Sequence, residues 1–151
     1  MDSVDRQILD LLQHEGRASV LEIAKRVKLS SPSVSGRLKK LHKRGYIKRY
    51  VAILDEKKLG IQTMAFVHVS IKHPRYFPGF VSRIRELPEV LECHRITGNH
   101  SCVLKARVED SEALDLLLTE KIGEIDGVIN ATSEIVLSTI KEETKLDLTL
   151  G

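Results

Sequence analysis

Residues 17–49 read RASVLEIAKRVKLSSPSVSGRLKKLHKRGYIKR. Eleven of these side chains are basic (Arg17, Lys25, Arg26, Lys28, Arg37, Lys39, Lys40, Lys43, Arg44, Lys48 and Arg49) against the single acid Glu22. The punctuation is that of two short helices joined by a tight turn. Ser19 and Glu22 stand at capping-box spacing, the hydroxyl taking one orphan N–H while the carboxylate reaches back to another. Leu21, Ile23, Ala24 and Val27 are the expected inner residues of that helix, which stops near Lys28 and Leu29. Ser30 or Ser31 caps the next helix, and Pro32 sits in its first turn, where a missing N–H does no harm. Val34, Leu38 and Leu41 make its inner stripe and Gly45 is its stop. Two helices about three residues apart form a helix-turn-helix signature. Tyr46 with Ile47, and then Tyr50 to Leu54, predict two short strands around Lys48 and Arg49, a small wing.

Charge alone fits a solvated basic face on a protein-interaction module, but the caps, the turn and the wing point to double-stranded DNA. In such folds the start of the second helix enters the major groove. That places Ser31, Ser33, Ser35, Gly36 and Arg37 at base edges and Lys39, Lys40, Lys43 and Arg44 at phosphates. Arg17, Lys48 and Arg49 extend the same basic surface. Arg37 is that helix's one good guanine reader near its start, and the helix has no Asn or Gln to pair with adenine. Binding should therefore be salt-sensitive and the recognised site degenerate, with DNA bendability supplying much of the preference.

Upstream, Asp2 or Ser3 caps a first helix with Val4, Ile8, Leu11 and Leu12 inward, ended by Gly16. At 151 residues and 42% hydrophobic, the chain can bury one core or two small ones. The net charge of +3 hides a partition: residues 1–58 hold fourteen Lys/Arg and seven Asp/Glu, residues 59–151 ten and fourteen. Two modules with different partners follow. There is no secretory signal and no apolar run near the ~18 residues of a membrane span, so a cytoplasmic protein without membrane attachment is expected.

The acidic part reads strand (Met64 to Ile71), helix (Phe77 to Leu87), strand (Val90 to Thr97), a turn at Gly98 to His100, strand (Ser101 to Val108). A helix capped by Ser111 follows, burying Leu114, Leu117, Leu118 and Ile122, and then a long last strand from Val128 to Ile140. That β-α-β-β-α-β order is the ferredoxin-like split motif. The chain is thus α+β: a winged helix-turn-helix at 1–54, a linker at 55–61, and a ferredoxin-like domain at 62–151. One face of the sheet lacks helices and carries apolar residues, most simply covered by a second copy in a homodimer.

Over nearly its whole length the chain resembles the Lrp/AsnC (feast/famine) family of transcriptional regulators. The resemblance rests on Asp2 to Leu9 with Leu12 and Gln13, on Leu29 to Val34, on Arg37, Leu38, Lys40 and Leu41, and on Gly45 to Ile47. Ile53 to Asp55, Leu59 and Gly60 also match. It implies a DNA-binding regulator built of dimers that assemble further, often to octamers. It also implies a small effector, commonly an amino acid, bound by the C-terminal domains. The family's turn often reads Thr-Gly-x-x-Asp-Tyr; here Ser101 stands where the aspartate often is. By that carry-over Gly98, Asn99, His100, Ser101 and, on the last strand, Ser133 are the effector-site candidates. A tight hairpin without ligand is the alternative reading.

Other chemistries fare worse. Cys93, His94, His100 and Cys102 include zinc-binding residue types, but Cys93 and His94 are consecutive on a strand and point to opposite faces, so no metal and no other cofactor is expected. No third group orients a His100 nucleophile system and no G-x-x-x-x-G-K loop is present, so no enzyme is expected. An architectural DNA-bending protein without an effector remains the alternative function.

Overall fold

The computed structural model describes residues 1–149. Contacts divide the chain into two units: Met1–Ile53 together with the chain from Lys141 onward, and Leu54–Ile140.

In the first unit α1 spans Ser3–His14, α2 Val20–Val27 and α3 Ser31–Lys43. Asp2 caps α1 and Ser30 caps α3. The Ser19–Glu22 box forms as expected: the hydroxyl accepts the Glu22 N–H at 3.2 Å and the carboxylate accepts the Ser19 N–H at 2.7 Å. The tight turn after α2 is made by Lys28 with φ 55°, a left-handed conformation unusual for a side chain of this kind. After α3, Gly45 has φ 75° and the Tyr46 N–H returns to the Leu41 carbonyl at 3.0 Å. Ile8, Leu11, Ile23, Ala24, Val34 and Leu41 form the core. Leu21, expected inside, is 58% exposed. It lies two residues before Ile23, and residues two apart do not share a helix face.

The expected wing strands are not formed: among the described residues, 46–62 contains no strand. Lys48 and Arg49 include neither glycine nor asparagine to adopt the positive φ of a two-residue hairpin. Tyr50 instead sets its ring against His42 of α3, centroids 5.5 Å apart, and Val51 and Ile53 stay exposed.

From Lys141 the chain groups with the helices, not with residues 62–140 as the expected boundaries had it. Its main chain is the reason. The Gln13 amide grips Leu146 from both sides, Nε2 donating to the carbonyl at 3.0 Å and Oε1 accepting the N–H at 2.7 Å. Arg6 donates to the Leu148 carbonyl at 3.0 Å, and the Lys145 ammonium lies 3.2 Å from Asp10. Leu146 and Leu148 line a hollow with Leu9, Leu12, Tyr46 and Ile47.

In the second unit β1 (Thr63–Ile71), α4 (Phe77–Glu86), β2 (Val90–Arg95), β3 (Cys102–Val108), α5 (Ser111–Leu116) and β4 (Val128–Ile135) give the ferredoxin-like order. The cap of α5 is Asp110, not Ser111: its carboxylate accepts the Ala113 N–H at 2.9 Å. The helix runs on as a π-helical turn, Leu117–Ile122, which brings Leu117 and Ile122, five residues apart, into the same core. The sheet order is β2-β3-β1-β4, every neighbour antiparallel. Ala65, Val67, Val69, Cys102, Leu104 and Ala106 are buried beneath Phe80, Ile84, Leu114, Leu117 and Ile122. β4 stops at Ile135 rather than Ile140. Its partner β1 begins at Thr63, and the last bond across the pair runs from the Val136 N–H to the Met64 carbonyl. The segment expected as a linker forms turns at 56–60, and Glu56 pairs with Arg107 of β3 at 2.8 Å.

Removing the Gln13 amide breaks two hydrogen bonds between α1 and the C-terminal segment. Gln13→Ala should cost the helical unit about 1 kcal/mol, read as faster amide exchange in α1 with exchange in β1 and β3 unchanged.

Candidate nucleic-acid interface

α3 has one face in the core and one in solvent. Val34 and Leu41 are buried; Pro32, Ser33, Gly36, Lys39, Lys40, Lys43 and Arg44 are exposed, and Ser31 and Ser35 are half-buried. Between Ile23 and Leu54 the sequence contains no acid. Among the described residues no ion pair neutralises Lys39, Lys40, Lys43 or Arg44, and Arg17, Lys48 and Arg49 are likewise exposed and unpaired. Arg26, by contrast, is engaged with Glu15 at 2.8 Å. An uncompensated cationic helix face with small residues toward its N-terminal end suits a phosphate backbone and close approach to a groove. His42, for which the sequence reading gives no role, is also exposed on α3, with the Tyr50 ring tilted against it.

Arg37 departs from its expected role as a free base reader. Its guanidinium is turned back onto α1, Nη1 lying 2.6 Å from Asp2 Oδ2 and 2.7 Å from Asp5 Oδ1. Its side chain is 30% exposed. The Asp5 N–H and, next, Arg37 hold the Asp2 carboxyl below the usual carboxylate range, and the two acids raise Arg37 further. Asp2 and Arg37 therefore face each other as an ion pair at neutral pH. The signal that could have found it is the Asp2-x-x-Asp5 spacing, which promised a second acid beside the cap.

The effector-site candidates divide. Gly98, with φ 110°, makes the turn, and Asn99 is exposed. His100 Nδ1 lies 3.2 Å from the Ser70 hydroxyl, and its ring is 5.1 Å from that of His68. Ser101 is occupied structurally: its hydroxyl accepts the Ile71 N–H at 3.0 Å, and its own N–H donates to Val69 at 2.9 Å. Ser133 does not join them. It lies opposite Val67 on the helix-covered face, whereas Thr132 lies opposite His68 on the open face. Opposed residues of an antiparallel ladder share a face, so the register separates Ser133 from the histidines. His68, which the sequence did not single out, is the more informative neighbour. Its Nδ1 is buried without a hydrogen-bond partner among the described residues, and its Nε2 is 3.8 Å from Glu134.

Across β2 and β3, Cys93 is opposite Leu104 and Cys102 opposite Arg95, which puts both thiols on the helix side. His94 lies on the other face, 3.0 Å from Glu92. The four side chains do not converge. Burial, followed by the neighbouring Cys93, pushes the Cys102 thiol up to about 11, which keeps it protonated and unsuited to nucleophilic work.

Comparison with known proteins places both units. A model described as the AsnC-type helix-turn-helix domain matches residues 1–42, and one described as the Lrp/AsnC ligand binding domain matches 64–146. The HTH-type transcriptional regulator FL11 of Pyrococcus horikoshii is 36% identical over 98% of this chain and 97% of its own length. The leucine-responsive regulatory protein of Klebsiella pneumoniae is 34% identical over 97% and 90%. Among solved structures, a transcriptional regulator of Neisseria meningitidis in complex with L-methionine superposes with TM-score 0.95. It is 34% identical and covers 99% of this chain and 98% of that one.

Gly36 is helical and exposed, and a Cβ there would meet nothing within 4 Å. Gly36→Ala should raise thermal stability by about 1 kcal/mol while weakening binding to duplex DNA. Unchanged DNA affinity in the stabilised variant would remove Gly36 from the contact surface.

Proposed function

The chain belongs to the Lrp/AsnC family of transcriptional regulators, which bind DNA and are not enzymes, and from that premise we propose how it holds DNA and what controls it. Ser31, Ser33, Ser35 and Gly36 line the part of α3 that enters the major groove. Lys39, Lys40, Lys43 and Arg44 grip phosphates, with Arg17, Lys48 and Arg49 extending the grip. The observation that carries this is the outer face of α3, where none of the four central cations has an ionic partner among the described residues. With few residues able to read base edges, most of the affinity is electrostatic and repeated along the duplex.

Repetition requires more than one copy. The open face of the sheet, with Phe66 partly exposed and His68 lacking a partner for Nδ1, is the surface a second copy covers, giving a homodimer and from it assemblies up to the octamer. The effector is a free amino acid held near the Gly98 to Ser101 turn and the His68–His100 pair, and its ammonium would need a partner other than Ser101. The Neisseria relative solved with L-methionine supports that ligand class over an effector-free architectural role. The protein works in the cytoplasm; among the described residues no helix is long and apolar enough to cross a membrane.

Sedimentation of the chain with a duplex at several salt concentrations, with and without an amino-acid panel headed by L-methionine, tests the proposal. Complex formation should fall steeply with salt, and Lys40→Ala should reduce the log–log slope by about one. Half-sites should lie about ten base pairs apart, or a multiple of that. A flat salt dependence would contradict electrostatic gripping, and assemblies indifferent to every amino acid would contradict the effector.

A further inference from the structure

Asp2 and Asp5 each divide their two carboxylate oxygens between two tasks. Asp2 Oδ1 accepts the Asp5 N–H at 2.8 Å and Asp5 Oδ2 accepts the Asp2 N–H at 3.2 Å, which closes the cap of α1. The remaining oxygens, Asp2 Oδ2 and Asp5 Oδ1, both meet Nη1 of Arg37, at 2.6 and 2.7 Å. One guanidinium thus completes the cap of a helix more than thirty residues away in sequence. Two acids side by side at a helix start repel each other; a cation shared between them removes that repulsion while each keeps its backbone bond.

Its position in the unit gives this contact its consequence. α1 and α3 share a core, but each packs most closely on α2. The clasp is a direct polar tie between the start of α1 and the middle of α3. It also engages the one arginine within α3, 2.6 Å from the Asp2 carboxylate.

We propose that Arg37 is a positioning residue: it sets the recognition helix against the start of α1, and Asp2 and Asp5 support DNA binding although they are acids. This rests on α3 being the DNA-binding helix. Two mechanisms then make opposite predictions. If Arg37 read a base and the acids merely held it back, neutralising them would release a cation toward DNA and strengthen binding. If it positions α3, neutralising them loosens the helix and weakens binding, despite the loss of two negative charges near a polyanion.

The test uses the full chain in four forms: unaltered, Asp2→Asn with Asp5→Asn, Arg37→Gln, and all three changes together. Asparagine is itself a good cap, so α1 keeps its start, and thermal unfolding checks that each form is folded. Positioning predicts that the acid pair variant and Arg37→Gln each lose about fivefold in duplex affinity. The triple variant should lose no more than either, because one contact has been removed in three ways. Higher affinity in the Asp2→Asn, Asp5→Asn form, or additive losses, would overturn the proposal. Amide exchange in the free proteins is a readout that needs no DNA. Arg37→Gln should speed exchange in the first turn of α1, and unchanged exchange there would also overturn it. Failure of α3 as the DNA-binding helix would look different: the unaltered chain would bind no duplex, or would bind it with the lysines of α3 left unprotected, while the exchange result still judged the clasp.

Discussion

A helix that leaves one whole face exposed and cationic must draw its stability from the opposite face and from its ends, and α3 has little to draw on. Its first half is serines, Pro32, Val34 and Gly36, all weaker helix formers than Ala or Leu. Of its thirteen residues only Val34 and Leu41 are buried, with Leu38 partly so. The rest of the unit supplies what the helix lacks. Ser30 caps it, Gly45 closes it, α2 backs it, and Arg37 ties it to α1. The second unit faces no such conflict, since the interior face of its sheet is covered by two helices that bury Phe80, Ile84, Leu114, Leu117 and Ile122.

The same division appears in charge. The basic excess sits in the helical unit and the acidic excess in the rest of the sequence, so a duplex is attracted to one and repelled by the other. This accounts for a small protein with mild net charge being a DNA binder. The attraction is local, and salt screens it only beyond about 8 Å at physiological strength, a length shorter than either unit.

Local chemistry made much of this legible in the sequence. The capping box at Ser19, a cap at Asp2 or Ser3 and at Ser30 or Ser31, and an apolar-rich β1 each depend on a few neighbouring residues; the structure has the box and the strand, and of the cap pairs it uses Asp2 and Ser30. What failed depended on partners distant in sequence. Tyr46 to Leu54 has strand-forming residues, but a strand needs a neighbour and this segment has none among the described residues. The last strand ends at Ile135, short of the expected Ile140, because its length is set by where β1 starts. Arg37 looked free because the acids that hold it lie at the chain's beginning, and Ser133 looked close to the Gly98 turn because register, not composition, decides its face. The grouping of the C-terminal segment with the helices rests on a side-chain amide gripping main chain, for which periodicity carries no sign.

Lysine footprinting of the full chain tests most directly whether the outer face of α3 is what holds DNA. An acetylating reagent would be applied with and without duplex, and the modified positions read by mass spectrometry. Lys39, Lys40 and Lys43 should be strongly protected by the duplex, and Lys72, exposed in the second unit, should react as before. Protection at Lys72 with none at the three lysines of α3 would contradict the account.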